Sequence, residues 1–162
     1  MANILAVCTA NICRSPVVEA LLKDRLQKHG YLDWQVASAG TWADYGHAAS
    51  RYSVEVLAEK GYDISGHSSQ PIDEELLSWS DLVLCLATGH AEALRAEFPH
   101  QRHKIFLLTS MSGRSYSVHD PYGEPRIAYE SMVSEVTDLV ENGLPRIVEL
   151  SLDNQRRRPE SG

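Results

Sequence analysis

Two thiols, a guanidinium and a hydroxyl crowd one short stretch near the start of the chain: Cys8, Cys13, Arg14 and Ser15 in "AVCTANICRSPVVEALL" (6–22). Those residue types can carry out nucleophilic chemistry on an oxyanion. If residues 8–15 wrap a tetrahedral anion, the backbone N–H groups from Thr9 through Ala10, Asn11, Ile12 and Cys13 turn inward. The helix that follows then aims its positive end at the same point. That field favours the thiolate of Cys8 over its thiol. Arg14 can return to the loop mouth and hold two oxygens of the anion at once. The Ser15 hydroxyl can donate to the Cys8 sulfur and stabilise it both as attacking and as departing group.

A thiolate that displaces an oxygen from phosphorus needs a proton donor for that oxygen. "HDPYG" (119–123) offers Asp120, held by Pro121 beside an aromatic ring. On its own an Asp-Pro pair marks a turn; beside the Cys8 loop it reads as an acid.

These groups require a frame. "NILAVC" (3–8) reads as a strand, Pro16 suits the first turn of a helix, and "VVEALLKDRLQKHG" (17–30) has helical spacing closed by Gly30. "WQVASAG" (34–40) reads as a second strand, "RYSVEVLAEKG" (51–61) as a helix and "DEELLSWS" (73–80) as a short helical piece. "DLVLCLA" (81–87) is a continuous apolar run, expected of a strand buried on both faces of a parallel sheet. A helix over 89–98 and a strand over 103–109 follow, then a long loop over 111–126. The last helix starts at 127 and is expected to break at Gly143 and Pro145, with a short helical piece over 146–151. The pattern predicts an α/β three-layer sandwich, a four-stranded, mostly parallel sheet flanked by helices, with the phosphate-binding loop after strand 1. Ligands of such sheets bind at the carboxyl ends of the strands, which is where Cys8 falls. The domain is expected to span 1–151, with 152–162 a disordered tail.

Bulk composition narrows the function further. At 162 residues, 43% hydrophobic and 23% charged, the chain suits one globular domain. No apolar stretch is long enough to span a membrane, and "MANILAVC" carries no basic leader, so the expectation is a cytoplasmic protein without membrane association. A net charge of −7 argues against nucleic-acid binding but leaves room for a small anion held in a concentrated local field. The cysteine count is odd and no disulfide framework is present. Cys85, inside an apolar strand, reads as a buried hydrophobe. The histidines, "HQRH" (100–103) included, lack the spacing of a zinc site, and no G-x4-G-K-[ST] nucleotide loop occurs.

With both loops in view the chain is recognisable. "VCTANICRSP" resembles the C-x5-R-S signature of the low-molecular-weight protein-tyrosine phosphatases, and "DPY" resembles their general-acid motif. "SAGT" (38–41), "GHSSQPI" (66–72) and "DLVLCLA" also fall where that family has matching segments, so the resemblance covers about residues 1–150. It implies a phosphocysteine mechanism with Cys8 as nucleophile, Asp120 as acid and then base, and Arg14 with the loop amides around the phosphoryl charge. It implies no cofactor and no metal. Asn11 would take a left-handed conformation, with Ser38 and His67 hydrogen-bonding around it and Ser15. Cys13 would protect oxidised Cys8 through a reversible disulfide. Trp42 and Tyr122 would wall a cleft deep enough to favour phosphotyrosine over phosphoserine.

Two positions depart from the family's usual pattern or divide its branches. Ala10 stands where glycine is common. Ile12 stands where protein-arginine phosphatases of the same fold usually carry threonine, and an apolar branched side chain cannot orient a guanidinium as a hydroxyl could. The expected function is therefore a protein-tyrosine phosphatase, with a protein-arginine phosphatase as the alternative. An arsenate reductase would need a late cysteine pair that this sequence lacks, and a silent phosphotyrosine-binding module would be expected to have lost Cys8, Arg14 or Asp120. The expected partner is a phosphorylated protein, with a tyrosine kinase among the candidates, and the expected state is a monomer or weak homo-oligomer.

Overall fold

The computed structural model describes residues 1–159. Four strands, β1 (Asn3–Cys8), β2 (Gln35–Gly40), β3 (Leu82–Cys85) and β4 (Ile105–Leu107), form one sheet in the order β2-β1-β3-β4. Every pairing is parallel, so the sheet is parallel throughout. Five helices surround it: α1 (Arg14–Lys28), α2 (Arg51–Glu59), α3 (Glu74–Trp79), α4 (Thr88–Glu97) and α5 (Arg126–Arg156).

The alternation of β1 divides the core into two layers. Ile4, Ala6 and Cys8 face a cluster that includes Val18, Leu22 and Leu26 of α1, Leu57 of α2, and Val133, Val136 and Val140 of α5. Leu5 and Val7 face the opposite cluster, with Leu77 of α3 and Ala91 and Leu94 of α4. This side-to-side alternation is the two-residue period of a strand covered on both faces. Cys85 belongs to the second cluster, and burial pushes its thiol up to about 12, so it behaves as a small apolar residue.

Several boundaries differ from the sequence expectation. Helix α1 begins at Arg14, which makes Pro16 its third residue; the first turn tolerates proline there because that N–H has no intrahelical partner. The fourth strand keeps only three residues, and short 3₁₀ helices over Pro99–Lys104 and Thr109–Ser112 take up its flanks. The break expected at Gly143 and Pro145 does not occur, and α5 runs through both. Gly143 serves packing: a Cβ there would lie 2.7 Å from the Met111 Cβ. Pro145 is on the exposed face, where water can serve the carbonyl its missing N–H leaves free, while Leu144 and Ile147 stay buried on either side.

The expected tail does not begin at 152 either. The Asn154 side chain donates to the Asp81 carbonyl at 2.9 Å, and Arg158 Nε donates to the buried Asp81 carboxylate at 2.9 Å. The remainder of that expectation, 160–162, lies outside the described residues.

Candidate active site

The loop between β1 and α1 is built around Asn11. It is the one non-glycine position with positive φ among the described residues, at 59°. Asparagine tolerates this region at lower cost than most residues, where the penalty runs to about 1–2 kcal/mol. Its side chain is wholly buried and fully employed. Nδ2 donates to Ser15 Oγ at 2.7 Å and to Ser38 Oγ at 2.9 Å, and Oδ1 accepts from the Gln70 backbone N–H at 3.0 Å. His67 Nε2 donates to the Asn11 carbonyl at 2.7 Å.

This network has a consequence for Cys8. Because Asn11 occupies an acceptor site of Ser15, the Ser15 hydroxyl proton is available elsewhere. The Cys8 Sγ lies 3.0 Å from Ser15 Oγ, in position to receive it. An O–H donated to the sulfur complements the charge it carries as attacking and departing group. The N-terminus of α1 adds to this: Cys13 occupies the N-cap without a capping side-chain bond, and no acidic residue sits in the first turn. Its positive end is uncompensated beside Cys8.

Strand β2 fixes the loop from the other side. The Thr41 N–H donates to the Cys8 carbonyl and the Trp42 N–H to the Thr9 carbonyl, both at 2.9 Å. Gly40 lies so close beneath that a Cβ would stand 2.3 Å from the Thr9 oxygen and 3.0 Å from the Asn11 nitrogen. "SAGT" is thus explained residue by residue: Ser38 receives Asn11, and Gly40 leaves space for the loop.

Arg14 reaches back across the mouth. Nη1 donates to the Val118 carbonyl at 2.9 Å and Nη2 to Thr9 Oγ1 at 3.4 Å. Its Nε is buried without a hydrogen-bond partner. Nη2 also stands 3.5 Å from Asp120 Oδ2, with the arginine side chain 5% exposed and the aspartate 46%. Asp120 is in a short turn closed by the Tyr122 N–H on its Oδ1 at 3.1 Å, and Pro121 is buried. Upstream, the Val118 N–H donates to the Leu86 carbonyl at 2.8 Å, which fastens this loop to the end of β3.

The aromatic candidates stand at the rim. Trp42 is 87% exposed and Tyr122 68%, with Tyr45 also exposed nearby in sequence. Ile12 is half-buried and packs against the α1/α2/α5 side of the core, and Ala10 is half-buried in the loop.

The Cys13 thiol has hydrogen-bond partners of its own. All three cysteines are free, and Cys13 Sγ lies 2.9 Å from Ser50 Oγ and 3.5 Å from the Tyr129 hydroxyl. Burial raises the Cys13 pKa, and burial with the adjacent Cys13 pushes Tyr129 up to about 12. Ser53 Oγ donates to the Cys13 carbonyl at 3.0 Å, and the Ser50 N–H to the Ile12 carbonyl at 2.8 Å.

Ser50, Ser53, Gln70, His90, Val118 and Tyr129 were not legible as site residues. Gln70, within "GHSSQPI", meets Asn11 through its backbone N–H while its Nε2 donates to the Ser38 carbonyl at 3.0 Å, and Val118 acts through its carbonyl; a backbone group has no residue-type signature. Ser50, Ser53 and Tyr129 reach the loop only because α2 and α5 pack beneath it.

A family model described as low molecular weight phosphotyrosine protein phosphatase matches residues 3–157. The chain belongs to that family. Among its relatives in this phosphatase family is a protein-arginine-phosphatase of Bacillus subtilis, 36% identical over 139 residues, covering 85% of this chain and 91% of the relative. Another is a probable low molecular weight protein-tyrosine-phosphatase, EpsP, of Ralstonia solanacearum, 34% identical over 145 residues, covering 90% and 95%. The solved YwlE arginine phosphatase, a mutant with a phosphorylated active-site serine, superposes with a TM-score of 0.84. It is 34% identical, over 91% of this chain and 95% of that one. The protein is accordingly a phosphatase, a hydrolase of the low-molecular-weight type. Among the described residues no helix is long and apolar enough to cross a membrane.

Proposed function

We propose that the protein hydrolyses phosphotyrosine in phosphorylated proteins through a phosphocysteine intermediate. The observation that carries the reading is the convergence of Cys8, Ser15, Arg14 and Asp120 on one loop mouth, with the arginine buried and the aspartate half exposed. In the first step a Cys8 lone pair forms the S–P bond. The P–O bond to the tyrosine breaks, its electron pair stays on that oxygen, and protonated Asp120 supplies the proton. In the second step a water oxygen attacks phosphorus, Asp120 takes the water's proton, and the S–P pair returns to sulfur as phosphate leaves. Arg14 and the loop N–H groups hold the equatorial oxygens as charge grows on them. The phosphorylated serine in the YwlE mutant supports a covalent route for the family.

The choice of tyrosine rests on Ile12 and the rim. Trp42 and Tyr122, both exposed beside the loop, offer flat apolar faces to an aryl ring. Ile12 brings no hydroxyl to engage a guanidinium. The arginine phosphatase among the relatives keeps phosphoarginine as the second reading. The redox role expected of Cys13, a reversible disulfide with oxidised Cys8, would compete with the contacts of its sulfur to Ser50 and Tyr129. The partner expected for such an enzyme is a tyrosine-phosphorylated protein, a kinase included, engaged by a monomer or weak homo-oligomer.

The test is kcat/KM on phosphotyrosine and phosphoarginine peptides for the native enzyme and Ile12→Thr. The expected result is a preference for phosphotyrosine of at least about 100-fold that shrinks about tenfold or more in the variant, because a polar group facing a substrate amide or guanidinium is worth that order of discrimination. A native preference for phosphoarginine would replace the main reading with the second.

A further inference from the structure

His90 is the third residue of α4, outside every motif that pointed to the site, yet its Nε2 is 2.9 Å from Thr9 Oγ1. The same hydroxyl oxygen is 3.4 Å from Arg14 Nη2. On the reading of Arg14 as the phosphoryl clamp, we infer that His90 is a positioning residue: it pins the Thr9 hydroxyl as a double acceptor and so sets the plane of the Arg14 guanidinium before substrate arrives.

The hydrogen bonds assign the tautomer. Thr9 Oγ1 has two lone pairs and one proton, and a guanidinium can only donate. Arg14 takes one lone pair. A proton on His90 Nε2 takes the other and leaves Nδ1 as a bare, buried acceptor without a partner. The opposite tautomer would bury an unpartnered N–H instead, and orphaned donors are rarer in folded chains than under-satisfied acceptors. His90 therefore donates to Thr9.

The ring acts as a neutral donor. It is only 7% exposed, and burial, with Arg14 nearby as a second cause, lowers its pKa to about 4; Asp120 pulls weakly the other way. Its place in the first turn of α4 disfavours a positive charge further. A second cation beside Arg14 would compete for the oxygens that Arg14 is to hold.

Geometry gives the ring its leverage. The guanidinium is hydrogen-bonded at two points, the Val118 carbonyl through Nη1 and Thr9 Oγ1 through Nη2, and Nη2 also lies 3.5 Å from the half-exposed Asp120 carboxylate. Together with the covalent bond that ties the group to its side chain, these hydrogen bonds fix its plane. With the Thr9 contact loosened, the group can rotate about its bond to Val118, and Nε and Nη2 no longer present to one phosphoryl face together. Misplacement on this scale is enough to slow chemistry.

The experiment measures kcat and KM on p-nitrophenyl phosphate, and the Kd for inorganic phosphate by calorimetry. The proteins are the native enzyme, His90→Leu, His90→Gln, Thr9→Val and the double variant His90→Leu/Thr9→Val. His90→Leu is expected to lower kcat about tenfold and raise KM and the phosphate Kd about threefold, since Arg14 matters most where charge peaks. His90→Gln, whose amide can donate from nearly the same place, is expected to recover most of the loss. Thr9→Val should match His90→Leu, and the double variant should be no worse than either alone. Losses that multiply in the double variant, a glutamine no better than leucine, or a leucine variant within twofold of native would overturn the inference. If the native enzyme itself fails to turn over aryl phosphates, the phosphotyrosine reading falls instead. The phosphate Kd series then still decides whether His90 acts through Thr9.

Discussion

Asn11 spends backbone strain to bring three hydrogen bonds to one point, and each ends on a residue that the chemistry needs held still. Asp120 is the opposite case. It is half exposed, held by a turn of its own and by Arg14, free of any rigid cage. That exposure suits the group proposed to give and then take a proton. Asp120→Ala is expected to slow hydrolysis of phenyl phosphate, a poor leaving group, about 10²–10³-fold, because general-acid help is worth that order. The loss on p-nitrophenyl phosphate, whose phenolate needs little protonation, should be tenfold or less. Equal losses on the two esters would remove Asp120 as the acid. At this scale the nucleophile loop was legible because its functional side chains lie within one contiguous segment. His90 was not, because a lone histidine in a helix has no spacing that ties it to Thr9.

Strand β2 shows how an element works at a distance from its own side chains. It carries no reacting group, yet its last residue decides whether the loop can lie flat over it. Gly40→Ala must displace the Thr9 carbonyl, a backbone atom that cannot swing aside. The expected outcome is a fall in kcat/KM on p-nitrophenyl phosphate of about 10²-fold, the order associated with a misplacement of about 1 Å. Thermal unfolding should show a lower Tm as well. An alanine variant with native kcat/KM would mean that the loop has slack the geometry does not suggest. Element order and the sheet's parallel character were legible from apolar runs alternating with helical spacing. The ends of elements were less so. Pro145 and Gly143 are stop signals in isolation, but a helix whose flanking Leu144 and Ile147 are buried gains more from continuing than it loses at one missing N–H. Likewise β4 is cut short because the chain curls into 3₁₀ turns on either side.

For the whole molecule, stability and chemistry are anchored at opposite edges of the sheet. The reacting groups gather at the carboxyl ends of the strands. At the other edge Asp81, buried at the start of β3, accepts the Asn3 N–H at 2.8 Å and pairs with Arg158 from the far end of α5. Arg158→Ala leaves that carboxylate without its arginine. The expected loss is about 1–2 kcal/mol, at the lower end for a broken buried pair because Arg158 is itself partly exposed. Urea unfolding should show this as a lower midpoint with an unchanged m-value, and kcat/KM should stay native. A drop in kcat/KM per folded molecule would instead couple the two edges. The sequence of this terminal segment is polar and arginine-rich, and nothing in its composition records that one arginine has a buried carboxylate waiting across the fold.

Trp42 divides its work between two sets of atoms. Its backbone N–H holds the Thr9 carbonyl, while its indole stands in solvent. Tyr122 does the same, closing the Asp120 turn with its amide and leaving its ring free. Any residue other than proline can supply those amides. The rings are therefore open to exchange while the amides beneath them keep the loop and the Asp120 turn in shape. Whatever those rings contribute to choosing a partner can be altered without disturbing the loop beneath them.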